Sequence, residues 1–470
     1  MANKTDKLNI FNFFKKIFKI NYISSQFKLF FVSAVGILFW WTATFPGLVT
    51  YDSILTWRMV KNNSWDSIIP LPYLIFVQAI EAISNTTWPI TLLQSLLFSF
   101  SLSKLFISVH NNSRIKRGHF VAIFLISIFP PIGIFINSVW KDSLYVSFFL
   151  LSLNFLYKLS QKHDFSIYSV KSILLLGLFV TMASLRLNAF LIVLTFIFAL
   201  VVSKTEYLKS KLILVIVSSL LGFIITNVLP IKFATVDVTR NQASMSGFYL
   251  DSAISWSSGQ PTDSISSNLL NQVLSKEQVL LNAKCSQWDS VFEFFNPRPL
   301  SDNSRSFLLI WTKQLLNSPE SILESRICRA ASAITPFPKL IYNSLEMSNS
   351  NFSSKGLWNY ENIYNLGPNN EFYFTSKLGE FIYKISLTPR LTFLFYWGGF
   401  WVWISLVSIF FARSTFRDAA RRISFVIILS NSFIIGFFNT SLDFRYMMPL
   451  VVYIMVVLSR IVLDMMYRED

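Results

Sequence analysis

The stretch LFFVSAVGILFWWTATFPGLV, residues 29–49, contains no charged side chain. An α-helix needs about 20 consecutive apolar residues to cross the hydrocarbon core of a bilayer. The stretch ends just after a Pro-Gly break, and an acid, Asp52, follows three positions later. It therefore predicts a membrane span with a carboxylate at the point where the chain leaves the bilayer.

The composition of the whole chain supports the same class of protein. Of its 470 residues 53% are hydrophobic, 17% are aromatic and only 14% are charged, and the mean hydropathy is +0.49. A soluble protein of this size needs more polar surface than such a chain offers. The composition therefore excludes an ordinary soluble protein and favours a multi-pass membrane protein.

Further apolar runs predict a bundle of membrane-spanning helices. The ten predicted spans are residues 29–50, 88–109, 120–137, 143–159, 170–185, 189–203, 212–229, 391–412, 423–439 and 447–465. Residues 71–83 form either an eleventh span or an interfacial helix. The predicted fold is thus an all-α polytopic membrane protein with about 10–11 transmembrane helices.

The distribution of Lys and Arg predicts the orientation of these spans. Basic residues collect in residues 4–28, 114–117, 204–211 and 413–422, which all fall on one side of a ten-span map. The positive-inside rule makes that side cytoplasmic, together with both termini. The first apolar run is longer than the apolar core of a signal peptide, so we interpret it as an anchor.

The charge balance also marks a separate domain. The long connection, residues 231–390, carries 14 Lys and Arg against 13 Asp and Glu, so nearly all of the net charge of +16 lies elsewhere. This predicts an N-terminal membrane module (1–230, with a first outer loop at 51–87), a mainly helical extracytoplasmic domain (231–390) and a C-terminal membrane module (391–470). The basic surplus favours contact with anionic lipid over nucleic acid.

Both cysteines, Cys285 and Cys328, lie in the long connection. An oxidising compartment outside the cytoplasm permits a disulfide between them. Two buried thiols are the alternative, and the sequence leaves both open.

Polar and charged residues follow several predicted spans on the side opposite the basic clusters. They are Asp52, Trp140, Lys141, Asp142, Arg186, Asn188, Asp443 and Arg445. Ionisable groups at membrane depth are costly, so their collection at one end of several helices predicts a shared polar cavity. The three histidines, His110, His119 and His163, map to the cytoplasmic side, which argues against a histidine nucleophile or zinc site in that cavity.

Each of these residues also has a structural explanation. Asp52 could cap a following helix, and Lys141 could extend to lipid headgroups. Arg186 could be held by carbonyls at a helix end, and Asp443 with Arg445 could form a local ion pair. The case for a functional site depends on the set.

Five short motifs lie in order along the chain: FPGLVTYDSILTW (45–57), SVWKDSLYV (138–146), LRLNAF (185–190), WTKQLLNSPESIL (311–323) and DFRYMMPL (443–450). Together they resemble bacterial polytopic glycosyltransferases of the GT-C type, a group related to protein mannosyltransferases that use dolichyl-phosphate-mannose. Before the second span the chain has Pro70 and Pro72 but lacks the histidine of the His-Pro-Pro motif common in that group.

The resemblance implies a sugar donor linked to a polyprenyl phosphate or pyrophosphate and used at the outer face of the bacterial cytoplasmic membrane. It implies that Asp52 is a catalytic base or a metal-site residue, while the acceptor (a glycan, a lipid or a protein) stays open. The resemblance fixes no cofactor, and a divalent ion such as Mg²⁺ or Mn²⁺ is an option. Asp66 is a candidate second carboxylate.

Sugar transfer from a lipid phosphate needs cations beside the leaving group as well as a base. Lys141, Arg186 and Arg445 are the candidate phosphate-binding residues, because Arg and Lys pair strongly with phosphate oxygens. The supporting residues in our prediction are Tyr51, Trp140, Asp142, Asn188, Asp443 and Tyr446.

Two other functions compete with sugar transfer by this group. A polysaccharide polymerase or O-antigen ligase combines about ten spans with a large outer loop and arginines, but has less need of an acid after the first span. A transporter or flippase for lipid-linked saccharides predicts charges deep in several helices and repeat symmetry. The chain has no Walker motif and no Gly-rich phosphate loop, which disfavours an ATP-driven pump.

Overall fold

The computed structural model describes most of the chain. The described residues are 24–66, 69–110, 115–161, 170–186, 189–203, 207–229, 238–283, 295–296, 298–336, 371–412, 418–438 and 444–467. Within them the protein is 83% helical and has no strand, and Leu48 and Ser138 form an isolated bridge. The predicted all-α class is confirmed.

Apolar helices occupy the two predicted membrane modules. The N-terminal module contains α1 (Ser25–Ala43), α2 (Tyr51–Lys61), α3 (Leu71–Glu81), α4 (Trp88–His110), α5 (Arg117–Ile128), α6 (Pro130–Ile136), α7 (Lys141–Gln161), α8 (Val170–Ser184), α9 (Ala189–Ser203) and α10 (Leu208–Phe223, continued by a π-helical turn, Ile224–Val228). In the long connection lie α11 (Val238–Ser257), α12 (Ser264–Val273), α13 (Lys276–Asn282), α14 (Arg298–Asp302), α15 (Ser304–Asn317), α16 (Pro319–Ile334) and α17 (Tyr373–Ser386). The C-terminal module contains α18 (Thr392–Tyr396), α19 (Gly398–Phe411), α20 (Asp418–Phe438), a 3₁₀ helix (Phe444–Tyr446) and α21 (Met448–Met466).

Six of the described helices are long and apolar enough to cross a membrane, or up to seven if the bent pair α5 and α6 forms one span. The six are α1, α4, α7, α10 with its π-helical turn, α20 and α21. The other apolar helices, α3, α8, α9 and α19, are shorter than 18 residues. The structure therefore confirms a multi-pass helical protein, whereas the count of 10–11 spans stays a prediction.

The predicted span 120–137 is not straight. It bends by 61° between α5 and α6, at the two prolines Pro130 and Pro131. Proline lacks an N–H group and disfavours a helical conformation in the residue before it, here Phe129. The carbonyl of Ile128 accepts a hydrogen bond of 2.9 Å from the indole of Trp40, which replaces an intrahelical partner.

The predicted span 391–412 is also interrupted. Trp397 has an extended conformation between α18 and α19, with φ −118° and ψ 102°. Its indole donates to the carbonyl of Thr335 over 2.7 Å, at the end of α16. The long connection is thus fastened to the C-terminal module at this break.

The described part of the long connection is mainly helical. Its helices α11, α14 and α15 pack around a hydrophobic core that includes Tyr249, Leu270 and Phe307. Helix α16 packs on α19 and α20, and α17 packs on α1. Cys328 in α16 is disulfide-bonded, whereas Cys285 lies outside the described residues.

Packing of the membrane helices brings several of their ends together. Helix α4 lies between α1 and α7, while α20 packs on α9 and α16. One continuous core of buried side chains runs through these helices and α21. The starts of α2, α7 and α21 and the end of α8 meet at one end of this bundle, and the candidate site lies there.

Candidate functional site

The segment after the first span is paired with the segment before α7. Gly47 has φ +138°, a conformation that favours glycine, and the next residue, Leu48, forms a parallel bridge with Ser138. The N–H of Leu48 donates to the carbonyl of Asn137, and the N–H of Val139 donates to the carbonyl of Leu48, both over 2.9 Å. Because the bridge is parallel, the residues that follow on both segments lie side by side.

Side chains extend this pairing into the two helices that follow. The indole of Trp140 donates to the hydroxyl of Thr50, and the hydroxyl of Ser53 donates to the carbonyl of Val139 over 2.8 Å. From α4, the amide of Gln94 donates to the carbonyl of Trp140 over 3.0 Å. The first turns of α2 and α7 are therefore held next to each other.

Helix α2 is capped without the carboxylate of Asp52. The N–H of Thr50 donates to the hydroxyl of Ser53 over 3.0 Å, as in a capping box. The Asp52 carboxylate instead lies 3.2 Å from Nη1 of Arg445. The side chains of Asp52 and Arg445 are 32% and 21% exposed, so this ion pair is partly exposed at the protein surface.

A second ion pair lies beside the first and is buried. Nε of Arg186 is 2.9 Å from Oδ1 of Asp142, and the two side chains are only 6% and 5% exposed. The Arg186 guanidinium lies over the rings of Tyr145 and Tyr446, at 5.2 and 4.8 Å from their centroids. Opposite charge and aromatic faces together offset part of the cost of burying this arginine.

Tyr446 joins the two ion pairs. Its hydroxyl accepts a hydrogen bond of 3.2 Å from Nη2 of Arg445, while its ring contacts Arg186. The Arg445 guanidinium also lies 5.8 Å from the ring centroid of Trp140. We call Asp52, Trp140, Asp142, Arg186, Arg445 and Tyr446 the polar cluster. Its two acids and two arginines balance in charge.

The remaining predicted site residues lie around this cluster or outside the described residues. Lys141 is half-buried at the first position of α7, next to the cluster in the chain. Asp66 is half-buried in the loop between α2 and α3. Tyr51 begins α2, but its side chain is not among the described ones, and Asn188 and Asp443 lie outside the described residues. The roles of all five stay predictions.

The sequence analysis missed three buried polar side chains beside the cluster. They are Tyr73, Gln94 and Tyr145, and the Tyr73 hydroxyl is close enough to Asp52 and Asp142 to be affected by both charges. The Tyr145 hydroxyl has no hydrogen-bond partner among the described residues, and the Tyr73 hydroxyl lies within hydrogen-bonding reach of the Gln94 side chain. A Gln inside an apolar run was a usable signal, whereas tyrosines are too common in such runs to be one.

Comparisons with known proteins add no family assignment. No protein-family model matches the chain, and no curated protein is significantly similar to it. The resemblance to GT-C glycosyltransferases therefore rests on the short motifs and stays a prediction.

The described part of the chain contains no cluster of side chains typical of a metal site. No group of three His, Cys, Asp or Glu side chains converges there. The two acids of the polar cluster face guanidinium groups, which already balance their charge. We therefore derive the chemistry of the cluster from its side chains alone.

Two histidines lie far from the polar cluster. His110 and His119 are buried, with their ring centroids 5.1 Å apart. His110 ends α4, and roughly 24 Å of helix separates it from Gln94 at about 1.5 Å per residue. His163 lies outside the described residues. The histidines that the structure describes thus take no part in the cluster.

A second charged cluster lies within the long connection. Asp251 in α11 is fully buried and accepts hydrogen bonds from Arg326 and Arg329 in α16, from Ser325 over 3.0 Å and from Trp311 over 3.0 Å. We call these five residues the Asp251 cluster. Burial lowers the pKa of the Arg326 guanidinium, and the charge of Asp251 opposes that shift.

Arg326 also connects the long connection to the membrane helices. Its Nη1 donates to the carbonyl of Phe437 over 2.6 Å, near the C-terminal end of α20. The chain then continues from α20 to the 3₁₀ helix that carries Arg445. The Asp251 cluster therefore holds the helix end from which the Arg445 segment emerges. Motifs and composition did not predict this contact.

Proposed function

We propose that the protein is an integral membrane glycosyltransferase that moves a sugar from a polyprenyl-phosphate or polyprenyl-pyrophosphate donor to an acceptor of the cell envelope. The observation that carries the proposal is the ion pair of Asp52 and Arg445 beside the buried pair of Asp142 and Arg186. A partly exposed carboxylate and two guanidinium groups in one cluster are the chemical groups that such a transfer needs.

In this proposal Asp52 is the general base. The acceptor hydroxyl attacks the anomeric carbon of the sugar, its oxygen forms the new glycosidic bond, and its proton passes to the Asp52 carboxylate. The bond between the anomeric carbon and the phosphate oxygen breaks, and the lipid phosphate leaves with the electron pair. Asp52 suits this task because its side chain is 32% exposed and lies in the first turn of α2, which Thr50 and Ser53 cap.

Arg445 has two competing partners in this mechanism. Its guanidinium pairs with Asp52. A donor phosphate competes for the same guanidinium, because arginine binds phosphate through two parallel hydrogen bonds. Donor binding would then release the Asp52 carboxylate to act as a base, so we expect the donor to bind before the acceptor.

Arg186 and Lys141 would add positive charge near the donor phosphate. Arg186 is buried and held by Asp142 and two tyrosine rings, so it contributes a fixed positive charge. Lys141 adds a positive charge to a cluster that is otherwise balanced, which favours an anionic ligand. Apolar helix surfaces would accommodate the prenyl chain, and the long connection would cover the acceptor side.

In the proposed topology the polar cluster faces the outside of the bacterial cytoplasmic membrane. The basic clusters lie at the opposite ends of the predicted spans, which supports this orientation. The partners would be the bilayer, the lipid-linked donor and a glycan, lipid or protein acceptor.

A donor panel with a matched pair of variants tests the proposal. Membranes with the wild-type protein are supplied with several prenyl-phosphate and prenyl-pyrophosphate sugars, and transfer of labelled sugar is measured. We expect transfer from one donor class, and a loss of roughly 10²- to 10⁴-fold in Asp52→Asn, the range that a general base contributes. Asp263→Asn, at an exposed helix cap of the long connection, is the control.

Full transfer by correctly inserted Asp52→Asn protein would contradict the assignment of the base. Movement of a labelled lipid-linked saccharide across the bilayer without any sugar transfer would instead indicate a transporter. Extension of a glycan that is itself lipid-linked, with Asp52 dispensable, would indicate a polymerase or ligase.

A further inference from the structure

Helix α17, the last helix of the long connection, packs against the end of the first span. A Cβ atom on Gly379 would lie 2.7 Å from the Cβ atom of Ala43, so the two helices touch at this point. Tyr383, one turn further along α17, shares a hydrophobic core with Trp40 and Ala43. The buried face of α17 consists of Gly379, Tyr383 and Ser386.

These contacts place α17 at the level where the first span ends. The ring of Phe372, just before α17, has its centroid 5.2 Å from that of Phe45 and 6.4 Å from that of Trp41. The contacts named here thus involve the last turn of α1 and the two residues that follow it. Asp52 of the polar cluster follows the same end of α1, so α17 and the polar cluster lie at one end of the bundle.

A second face of α17 is apolar and exposed. Phe374, Leu378, Phe381 and Ile385 follow one another at intervals of four, three and four residues, so they form one stripe along the helix. All four are exposed, Phe374 by 76% and Phe381 by 61%. At about 100° per residue, Phe381 projects roughly 160° away from Tyr383. The stripe therefore points away from α1.

The flank between these two faces carries charge. It contains Lys377, Glu380 and Lys384, again three and four positions apart. Nζ of Lys384 lies 2.7 Å from the Glu380 carboxylate, and Nζ of Lys377 lies 3.4 Å from it. Both lysines are exposed, and α17 has no other charged residue, so its net charge is only +1. An apolar face beside a charged one is typical of a helix that lies in the plane of a membrane surface.

We infer that α17 is an interfacial helix whose exposed stripe is inserted among lipid acyl chains, in the leaflet at the polar-cluster end of the bundle. Helices of this kind bury their apolar face about 5–10 Å into the boundary between headgroups and acyl chains. The lysines of the charged flank then extend toward water. Aromatic side chains favour the same boundary, and Trp41, Phe45 and Phe372 contact one another there.

The lipid contact of α17 is apolar in origin. A net charge of +1 gives little preference for anionic lipid, so we expect the same insertion into neutral and anionic bilayers. The contact does not depend on the proposed sugar transfer. It also moves the predicted boundary of the C-terminal membrane module, because the chain would return to the membrane surface at α17 and not at residue 391.

Spin labels on single cysteines test the inference in the full-length protein. Phe381→Cys and Lys384→Cys are labelled with a nitroxide and reconstituted into phosphatidylcholine vesicles, and collisions with oxygen and with a water-soluble nickel complex are measured by electron paramagnetic resonance. Oxygen concentrates among acyl chains, whereas the nickel complex stays in water. We expect the ratio of oxygen to nickel collisions to be roughly tenfold higher at position 381 than at position 384.

Three controls complete the experiment. Lys313→Cys, at an exposed position of α15, gives the value for a side chain in water. Wild-type protein carried through the same labelling gives the background from Cys285 and Cys328. Leu378→Cys repeats the measurement on the stripe if Phe381→Cys does not insert, as judged by size-exclusion chromatography before reconstitution.

Two results at position 381 would overturn the inference. Nickel collisions as frequent as at position 313 would place α17 in water. A label shielded from both oxygen and nickel would show that protein covers the stripe, either residues 337–370 of the same chain or a second copy. The measurement is repeated in phosphatidylglycerol vesicles, where a markedly different ratio would contradict apolar insertion.

Discussion

Asp52 and Arg445 are 393 positions apart in the chain, yet Oδ2 of Asp52 lies 3.2 Å from Nη1 of Arg445. The contact joins the segment after the first span to the segment before the last helix. Each side chain is held by neighbours of its own: Asp52 by a capped helix, and Arg445 by the hydroxyl of Tyr446. Asp52, the proposed base, and Arg445, the proposed phosphate-binding residue, are therefore positioned by separate neighbours and meet in one ion pair.

Removal of the Arg445 guanidinium should affect the donor more than the acceptor. For Arg445→Ala we expect the KM for the donor to rise roughly 10- to 100-fold, the loss expected for a charge-assisted contact with phosphate. Arg445→Lys should recover part of that loss. Steady-state kinetics with varied donor and varied acceptor separate the two effects.

Arg305→Ala is the control for Arg445, because Arg305 is an exposed arginine in α15. It should leave both KM values unchanged. An unchanged donor KM in Arg445→Ala, with correct membrane insertion, would refute the phosphate role of Arg445.

Loss of the Ser53 hydroxyl should lower kcat, although Ser53 does not contact the substrates in the proposed mechanism. Ser53 is 1% exposed, and its hydroxyl links α2 to the carbonyl of Val139. Ser53→Ala leaves that buried carbonyl without this donor, which costs about 1–3 kcal/mol. We expect a lower kcat with little change in donor KM, measured beside the unfolding temperature.

Ser258→Ala offers a matched comparison, because Ser258 is exposed and its hydroxyl bonds only to its own helix at Ile254. It should change neither quantity. If Ser53→Ala keeps the wild-type kcat, the link between α2 and α7 does not position Asp52.

Neutralisation of Asp251 should destabilise the long connection. Asp251→Asn would leave the buried guanidinium groups of Arg326 and Arg329 without their counter-charge, and loss of one partner of a buried ion pair costs roughly 3–5 kcal/mol. We expect a lower unfolding temperature in detergent and faster proteolysis within the long connection.

Asp263→Asn is again the appropriate control, because Asn also caps helices well and Asp263 is exposed. The double variant Asp251→Asn/Arg326→Met should recover part of the stability, since it removes one of the two uncompensated charges. Equal stability of Asp251→Asn and the wild type would show that the cluster contributes nothing to stability.

Replacement of two glycines by alanine should change the stability of the protein in different directions. A methyl group on Gly133 would overlap the indole of Trp40, which packs against the bend between α5 and α6. Gly177 in α8 has open space around its Cα atom. We expect Gly133→Ala to cost about 1–3 kcal/mol through overpacking. Gly177→Ala should be neutral or stabilise by about 0.5–1 kcal/mol, because alanine favours the helix.

Thermal unfolding in one detergent measures both glycine variants side by side. A stable Gly133→Ala protein would show that Trp40 can move without loss of packing. In that case the hydrogen bond from Trp40 to Ile128 should also be dispensable, which Trp40→Phe would test.

Apolar periodicity and composition were sufficient to predict the helical class. They failed at helix ends and breaks: the bend at Pro130 and the break at Trp397 fall inside two predicted spans. Hydropathy averages over a window of residues, so it does not detect a local turn whose unpaired carbonyls find partners elsewhere. Trp40 and Trp397 make such bonds with residues that are distant in sequence.

The candidate site was predictable in its residue types but not in its pairing. Basic and acidic residues at one end of several spans indicated a common cavity, and Asp52, Asp142, Arg186 and Arg445 do lie together. Asp142 pairs with Arg186, while Asp52 pairs with Arg445, and the bridge between Leu48 and Ser138 brings the two acidic segments side by side. No local pattern encodes a bridge between segments 90 positions apart. The hydrogen bond from Trp140 to Thr50 joins the same two segments.

The sequence alone determined that this chain forms apolar helices with charges at their ends, because helix formation and membrane partition depend on the side chains of a single segment. Only the tertiary structure decided which charges meet: Asp52 with Arg445, Asp142 with Arg186, and Asp251 with Arg326 and Arg329. Those pairs join separate helices, and their geometry follows from how whole helices pack and bend. The energy of each pair exists only once that packing has formed.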